Sequence, residues 1–154
     1  GSIHGDVLFS CLGTTLKLAG SRDKQWQADY EIPSKFASLA KRNGVKTAVL
    51  LSAYGASPSS KVFYSSMKGK LEEQFDSIAF EQYIIFRPGL LLRKDTDRSG
   101  EKSSAAILKF LNRLGLVRKF RPMPTTILAE KMAKAPLALG SGRHVIELDK
   151  IFGF

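Results

Sequence analysis

The chain has 154 residues, of which 44% are hydrophobic and 25% are charged, a composition typical of one globular domain with a single core. Its net charge of +10 admits a polyanionic partner such as nucleic acid or a phosphate-bearing cofactor. The single cysteine excludes an internal disulfide. The two histidines stand at opposite ends of the chain, which argues against a metal site. No apolar run approaches the roughly 20 residues of a membrane span.

The basic residues are scattered along the chain rather than grouped. The tightest group, residues 118–121, is short, and no helix-turn-helix, zinc-finger or RNA-binding pattern accompanies it. A solvated basic face is therefore favoured, and a nucleic-acid-binding module is the least favoured of three functional hypotheses.

The first half of the chain predicts a strand, a helix and a second strand. Residues 6–12 and 46–52 are short apolar runs typical of strands that are buried on both faces of a parallel sheet. Between them, residues 26–43 predict a helix of crossover length, so the segment is a βαβ unit. Pro33 is expected to kink or break this helix, with Ser34 capping its second part.

The second half continues the alternation of strands and helices. A helix capped by Ser59 is expected to carry apolar residues at successive i+4 positions: Phe63, Met67, Leu71 and Phe75. The remaining expectations are a strand at 80–86, a loop at 93–101, a helix near 107–114, a turn bracketed by Pro122 and Pro124, a helix at 126–137 and a strand at 144–148. This alternation predicts an α/β fold with a parallel sheet flanked by helices.

Three residues form a candidate catalytic group. Ser52 ends the second predicted strand, and Tyr64 and Lys68 follow at i and i+4 of a helix, which places both side chains on one face. An ammonium group there favours the phenolate and lowers a tyrosine pKa that is ordinarily about 10, so the tyrosine can exchange a proton with a carbonyl or an alcohol. In the alternative interpretation, Tyr64 is an ordinary amphipathic helix residue and Lys68 a solvated neighbour.

The order of several short motifs resembles that of the atypical short-chain dehydrogenases. These motifs are Leu-Gly-Thr-Thr at 12–15, Leu-Leu-Ser at 50–52, Tyr-x-x-x-Lys-Gly at 64–69 and Phe-Arg-Pro-Gly-Leu-Leu at 86–91. Within that group the chain is most similar to the Tat-interacting-protein-like oxidoreductases, which include a fungal mitochondrial outer-membrane branch. The resemblance is clear from residue 6 to about residue 92 and looser beyond.

The resemblance implies an oxidoreductase that acts on a carbonyl or alcohol substrate with NAD(P)(H), with NADP(H) favoured over NAD(H). It implies that Tyr64 is the general acid/base, that Ser52 contacts the substrate oxygen and that Lys68 binds the nicotinamide ribose. The remaining cofactor-binding residues that it implies are Gly13 and Thr14 along the cofactor, and Pro88, Gly89 and Leu90 near the nicotinamide.

The resemblance also implies that the Rossmann-type domain is incomplete in this chain. In the family, the first three strands and a Gly-rich, phosphate-binding turn precede the segment that matches residue 6. Residues 1–154 are therefore expected to be one partial NAD(P)-binding domain, with residues 93–143 as substrate-side loops and helices. Alone, such a chain is expected to expose a sheet edge and to bind dinucleotide poorly.

In a second hypothesis, the protein binds the cofactor but has little or no catalytic turnover. The family includes members whose described role is regulation, so the chain is also read as a dinucleotide-binding regulatory protein that acts through a protein partner. With no targeting segment in the sequence, cytoplasm is the default location.

Overall fold

A computed structural model describes residues 4–92 and 121–154 of the chain. In chain order the elements are β1 (Val7–Ser10), α1 (Leu16–Ala19), α2 (Arg22–Trp26), a π-helical turn (Gln27–Glu31), α3 (Ile32–Arg42), β2 (Thr47–Leu51), α4 (Phe63–Ile78), β3 (Gln82–Arg87), β4 (Leu91–Leu92), β5 (Met123–Pro124), α5 (Thr125–Ala138), β6 (Gly142–Glu147) and α6 (Lys150–Gly153). The loop expected at 93–101 and the helix expected near 107–114 lie outside the described residues.

The centre of the fold is a four-stranded sheet in the order β1-β2-β3-β6, with every neighbouring pair parallel. Val49 in β2 pairs with Ile84 in β3, which in turn pairs with His144 in β6. The apolar runs form strands because helices cover both faces of such a sheet. The predicted α/β fold with a parallel sheet flanked by helices is confirmed.

The two faces of the sheet carry separate hydrophobic clusters. On one face, α3 and α4 pack against Leu50 and Ile85, with Phe75 of α4 fully buried between them. On the other face, α5 and α6 pack against Ile84 and Phe86. All the strands point the same way, so their carboxyl ends meet at one edge of this core, which is where open α/β sheets bind ligands.

The prediction of a break at Pro33 in the first long helix is wrong, and the alternative of a kink stays a prediction. The segments α2, the π-helical turn and α3 follow one another without a gap, and Pro33 occupies the first turn of α3. Proline has no backbone N–H to donate. The loss is tolerated at this position, because the hydrogen-bond spacing already changes in the wider π turn that precedes α3. Ser34 does not cap: its hydroxyl donates to the Tyr30 carbonyl oxygen at 2.6 Å.

The expected cap of α4 is also wrong. The helix begins at Phe63, after Val62, whose backbone N–H donates to the Ser60 hydroxyl at 3.1 Å. The Ser59 hydroxyl instead lies 3.0 Å from that of Ser57. The helix therefore starts three residues later than a Ser59 cap predicts, and its stripe still reaches the core through Met67, Leu71 and Phe75.

Pro122 and Pro124 do not bracket a turn. Met123 and Pro124 form β5, which pairs in parallel with β4, and the Met123 N–H donates to the Leu90 carbonyl oxygen at 2.9 Å. A proline is tolerated at the end of so short a pairing, where no second ladder bond needs its N–H.

In the part of the chain that the structure describes, no helix is both long and apolar enough to cross a membrane.

Candidate functional site

A cavity of about 670 Å³ lies beyond the ends of β1 and β2, beside the start of α4. We call it the strand-end cavity. Residues 11–16, Leu51, Ser52, residues 61–64, Lys68 and Leu91 line it, together with Leu18, Arg22 and Gln25. The structure thus brings the predicted residues Gly13, Thr14, Ser52, Tyr64 and Lys68 to one cavity wall.

Tyr64 and Lys68 lie one turn apart near the start of α4, as their spacing predicts. The Lys68 Nζ is 6.0 Å from the centroid of the Tyr64 ring. Lys68 is 2% exposed, whereas Tyr64 is 39% exposed and faces the cavity. Burial lowers the pKa of the Lys68 ammonium, and the nearby Asp29, Cys11 and Glu72 partly oppose that shift.

The Lys68 ammonium has spare hydrogen-bond donors. Among the described residues its one hydrogen-bond acceptor is the Leu12 carbonyl oxygen, 3.3 Å away, on the loop that follows β1. An ammonium group has three N–H bonds, so a buried lysine with a single acceptor leaves two donors at the cavity wall. Two adjacent ribose hydroxyls would satisfy them.

Two buried polar side chains fix the backbone of the Leu-Gly-Thr-Thr loop. The Asp29 carboxylate accepts the Thr14 N–H at 2.8 and 3.0 Å, and the Gln25 side-chain amide donates to the Thr14 carbonyl oxygen at 3.2 Å. Asp29 belongs to the π-helical turn and is 1% exposed. Sequence reasoning missed both residues, because a polar residue on an amphipathic helix is ordinarily solvated.

The Ser52 hydroxyl is held by a buried ion pair. It donates to the Glu72 carboxylate, which also accepts the Arg87 Nε–H at 2.9 Å and the Arg87 Nη2–H at 2.5 Å. Glu72 lies one turn beyond Lys68 on α4 and is 3% exposed. Arg87, at the end of β3, also binds Glu147 at 2.8 Å, and its hydrogen bond to Glu72 is the main cause that raises the pKa of its guanidinium. Sequence reasoning missed all three charged residues.

This pair restricts what Ser52 can do chemically. A hydroxyl has one hydrogen and two acceptor lone pairs, and Ser52 gives its hydrogen to Glu72. Towards the strand-end cavity Ser52 therefore presents an acceptor, and donating to a substrate oxygen requires its hydroxyl to rotate away from Glu72.

The predicted residues Pro88, Gly89 and Leu90 are not part of the cavity wall. Pro88 is buried and its carbonyl oxygen accepts the Tyr54 N–H at 3.0 Å, while the Leu90 carbonyl oxygen accepts from β5. Gly89 is exposed. The neighbouring Leu91 does line the cavity, so the segment after β3 reaches it one residue later than predicted.

The predicted burial of Cys11 is also wrong. Its apolar surroundings predict a buried position within the first strand, but β1 ends at Ser10, and Cys11 is exposed and lines the strand-end cavity. Within residues 4–92 and 121–154, no three His, Cys, Asp or Glu side chains are grouped closely enough to hold a metal ion.

Comparison with known sequences finds relatives named FMP52, mitochondrial. The chain is 35% identical over 119 residues to the protein of Eremothecium gossypii, an alignment covering 77% of this chain and 52% of the relative. It is 42% identical over 95 residues to that of Saccharomyces cerevisiae, covering 62% and 41%. For Debaryomyces hansenii the identity is 37% over 138 residues, covering 88% and 59%. The chain spans about half the length of the curated relatives it matches, and no protein-family model matches it.

Solved structures decide the fold. The chain is similar to the UDP-glucose 4-epimerase of Thermotoga maritima, determined with UDP-glucose, with a TM-score of 0.63 at 16% identity over 93% of this chain and 55% of that one. It is also similar to a human epimerase family protein determined with NADPH, with a TM-score of 0.58 at 13% identity over 96% and 57%. The fold is Rossmann-like. In a Rossmann-like sheet the strand-end cavity occupies the usual ligand position.

The default location of the protein is corrected by its relatives. Three relatives with 35–48% identity are all named as mitochondrial proteins, so the expectation of a cytoplasmic location is wrong. The resemblance to a family with a fungal mitochondrial branch already pointed to this location, whereas the core of a Rossmann-like fold does not specify one.

Proposed function

We propose that this chain is part of an NAD(P)(H)-dependent oxidoreductase of the short-chain dehydrogenase type that acts on a carbonyl or alcohol substrate. The observation that carries the proposal is the convergence of Ser52, Tyr64 and Lys68 on one wall of the strand-end cavity. Residues 1–154 then form one partial NAD(P)-binding domain, with residues 93–143 on the substrate side. The names of its relatives support a mitochondrial location.

The spare donors of Lys68 support the cofactor assignment. A nicotinamide dinucleotide supplies or accepts a hydride when bound. Its ribose carries two adjacent hydroxyls, which suit the two Lys68 N–H bonds that have no acceptor among the described residues. Gly13 and Thr14, held by Asp29, lie along the same wall and would border the cofactor. That Pro88, Gly89 and Leu90 approach the nicotinamide stays a prediction. The resemblance stated above favours NADP(H) over NAD(H), and this preference stays a prediction.

Tyr64 is the proposed proton donor and acceptor. Its phenol lines the strand-end cavity, and the buried Lys68 Nζ lies 6.0 Å from the centroid of its ring. In the reductive direction Tyr64 gives its proton to the substrate oxygen, and in the oxidative direction it takes that proton back. Ser52 assists only when its hydroxyl leaves Glu72 for the substrate oxygen.

A regulatory dinucleotide-binding protein is the second candidate. The hydrogen bond from Ser52 to Glu72 favours it, because that bond keeps the serine from donating to a substrate while leaving the cofactor side of the cavity intact. Such a protein would bind cofactor through Lys68 and act through a protein partner.

Replacing Tyr64 by phenylalanine in the full-length protein tests the two candidates. With NADPH and a panel of aldehydes and ketones, we expect Tyr64→Phe to lower kcat by about 100-fold or more, because it removes the proton that the reaction transfers. NADPH affinity should change little. Tyr54→Phe is the matched control, since Tyr54 is a tyrosine that does not line the cavity.

The outcomes separate the candidates. Turnover that survives Tyr64→Phe excludes this tyrosine as the proton donor. NADPH binding without turnover of any carbonyl in the wild-type protein favours the regulatory candidate, and a protein that does not bind NADPH contradicts both.

A further inference from the structure

The charged side chains among the described residues of the strand-end cavity are all positive. Arg22, Lys61 and Lys68 belong to its wall, and among the described residues that form the wall there is no aspartate or glutamate. Lys68 is deep and is assigned to the cofactor in the proposed function. Arg22 and Lys61 are exposed, so they face the part of the cavity that is open to solvent.

Arg22 and Lys61 are not neutralised by neighbouring acids. Within residues 4–92 and 121–154 neither of them forms a salt bridge, although several other lysines and arginines do. The Arg22 guanidinium carbon lies 5.4 Å from the centroid of the Phe63 ring, which also lines the cavity. That contact orients the side chain while leaving its N–H donors available to a ligand.

An exposed apolar surface lies beside these two cations. Leu12, Leu16, Leu18 and Val62 all line the cavity and are 50%, 48%, 69% and 63% exposed. Exposed apolar side chains grouped on one concave surface, with charged groups beside them, mark a binding site rather than ordinary surface. The two features together suit a ligand that has an apolar body and an anionic group.

We propose that the substrate of the strand-end cavity is an amphiphilic anion: an apolar carbonyl or alcohol compound that carries a carboxylate or phosphate group held by Arg22 and Lys61. This inference rests on the proposed function for the reacting carbonyl or alcohol and extends it to the class of substrate. The apolar body lies against the leucines and Val62, and the anionic group lies at the open side of the cavity. The phosphates of the cofactor carry the same chemistry, so the test must distinguish the two sources.

Calorimetric titration of the full-length protein with octanoate and with octanamide tests the proposal. The two probes share an alkyl chain and differ in charge, and neither carries a reactive aldehyde. We expect octanoate to bind about two- to fivefold more tightly than octanamide, the size of one exposed ion pair, and the difference to shrink at high salt. In the double variant Arg22→Gln/Lys61→Gln the two affinities should become equal. Lys24→Gln, an exposed lysine of α2 outside the cavity wall, is the matched control.

The same variants are titrated with NADPH and with NADH. If the double variant weakens NADPH relative to NADH and leaves the preference for octanoate unchanged, the two cations bind the cofactor phosphate and the proposal is overturned. Equal binding of octanoate and octanamide, or no binding of either, by the wild-type protein overturns it as well. Selective octanoate binding without NADPH binding would support the anion site while contradicting the proposed oxidoreductase.

Discussion

At the scale of single residues, Glu72 contributes both to the stability of the fold and to the geometry of the candidate site. Glu72 is 3% exposed, and its carboxylate accepts hydrogen bonds from Ser52, which follows β2, and from Arg87, at the end of β3. A buried carboxylate is tolerated only when charged and polar partners replace its lost hydration. The same contacts orient the Ser52 hydroxyl at the cavity wall.

Replacing Glu72 by glutamine should destabilise the fold. The amide keeps the shape of the side chain but removes the charge that faces Arg87, so we expect the free energy of unfolding to fall by about 2 kcal/mol. That figure is below the usual cost of breaking a buried pair, because Arg87 retains Glu147 and is 21% exposed. Urea denaturation followed by circular dichroism measures the change.

Glu73→Gln is the control for this prediction, since Glu73 is the exposed neighbour on the same helix. Its effect should stay within about 0.5 kcal/mol. A Glu72→Gln variant as stable as Glu73→Gln would show that the ion pair contributes nothing to the fold.

Spacing in the sequence predicted which residues reach the cavity but not what surrounds them. Tyr64 and Lys68 follow from helical periodicity, and Ser52 follows from the end of an apolar run. Asp29 and Glu72 could not be predicted, because each is buried by partners that are 15 residues away along the chain. Nothing local distinguishes such an acid from one that faces solvent.

At the scale of elements, α4 is held against the loop that precedes it by a close backbone contact. A Cβ atom at Gly69 would lie 2.2 Å from the Ser57 carbonyl carbon and 2.3 Å from the Pro58 nitrogen. The contact is reinforced by the Ser57 N–H, which donates to the Ser65 carbonyl oxygen at 3.0 Å. The loop can therefore approach the face of α4 only because residue 69 has no side chain.

Gly69→Ala should destabilise the protein although alanine is the better helix former. The intrinsic helix preference favours the variant by about 1 kcal/mol, while overpacking against backbone costs about 1–3 kcal/mol. We expect a net loss of stability in a thermal melt, together with weaker NADPH binding, because the displaced loop leads into the helix that carries Tyr64 and Lys68. Gly140→Ala is the matched control, as a Cβ there meets nothing within 4 Å. A Gly69→Ala protein that melts at or above the wild-type temperature would contradict the close contact.

The sequence was most informative about elements with strong apolar periodicity. The buried strands β2 and β3 and the apolar face of α4 were predicted because each presents a run or stripe that only a covered sheet or a core-facing helix explains. The position of β1 was predicted as well, but its expected burial on both faces was wrong, because Phe9 is exposed. The continuity of the helix through Pro33 and the pairing of β4 with β5 were not. A π turn has no sequence signature, and a two-residue strand is defined by its distant partner.

At the scale of the whole molecule, the described residues form a four-stranded Rossmann-like sheet with β1 at one edge. Phe9 on that strand is 45% exposed, and within the described residues β1 pairs with β2 alone. The chain also spans only about half of its relatives. Binding and activity should therefore be measured on the full-length protein, which contains the strand-end cavity together with the rest of the fold.

Titration of NADPH against the full-length protein, followed by the fluorescence of the bound nicotinamide, tests the central claim most directly. Lys68→Met should weaken NADPH binding by about tenfold or more, because it removes hydrogen bonds from a buried charged donor. Lys70→Met should leave it unchanged, because Lys70 is exposed on the same helix beside Trp26 and outside the cavity wall. Equal affinities for the wild-type protein and both variants, or no NADPH binding at all, would contradict the assignment of Lys68 and the strand-end cavity to a nicotinamide cofactor.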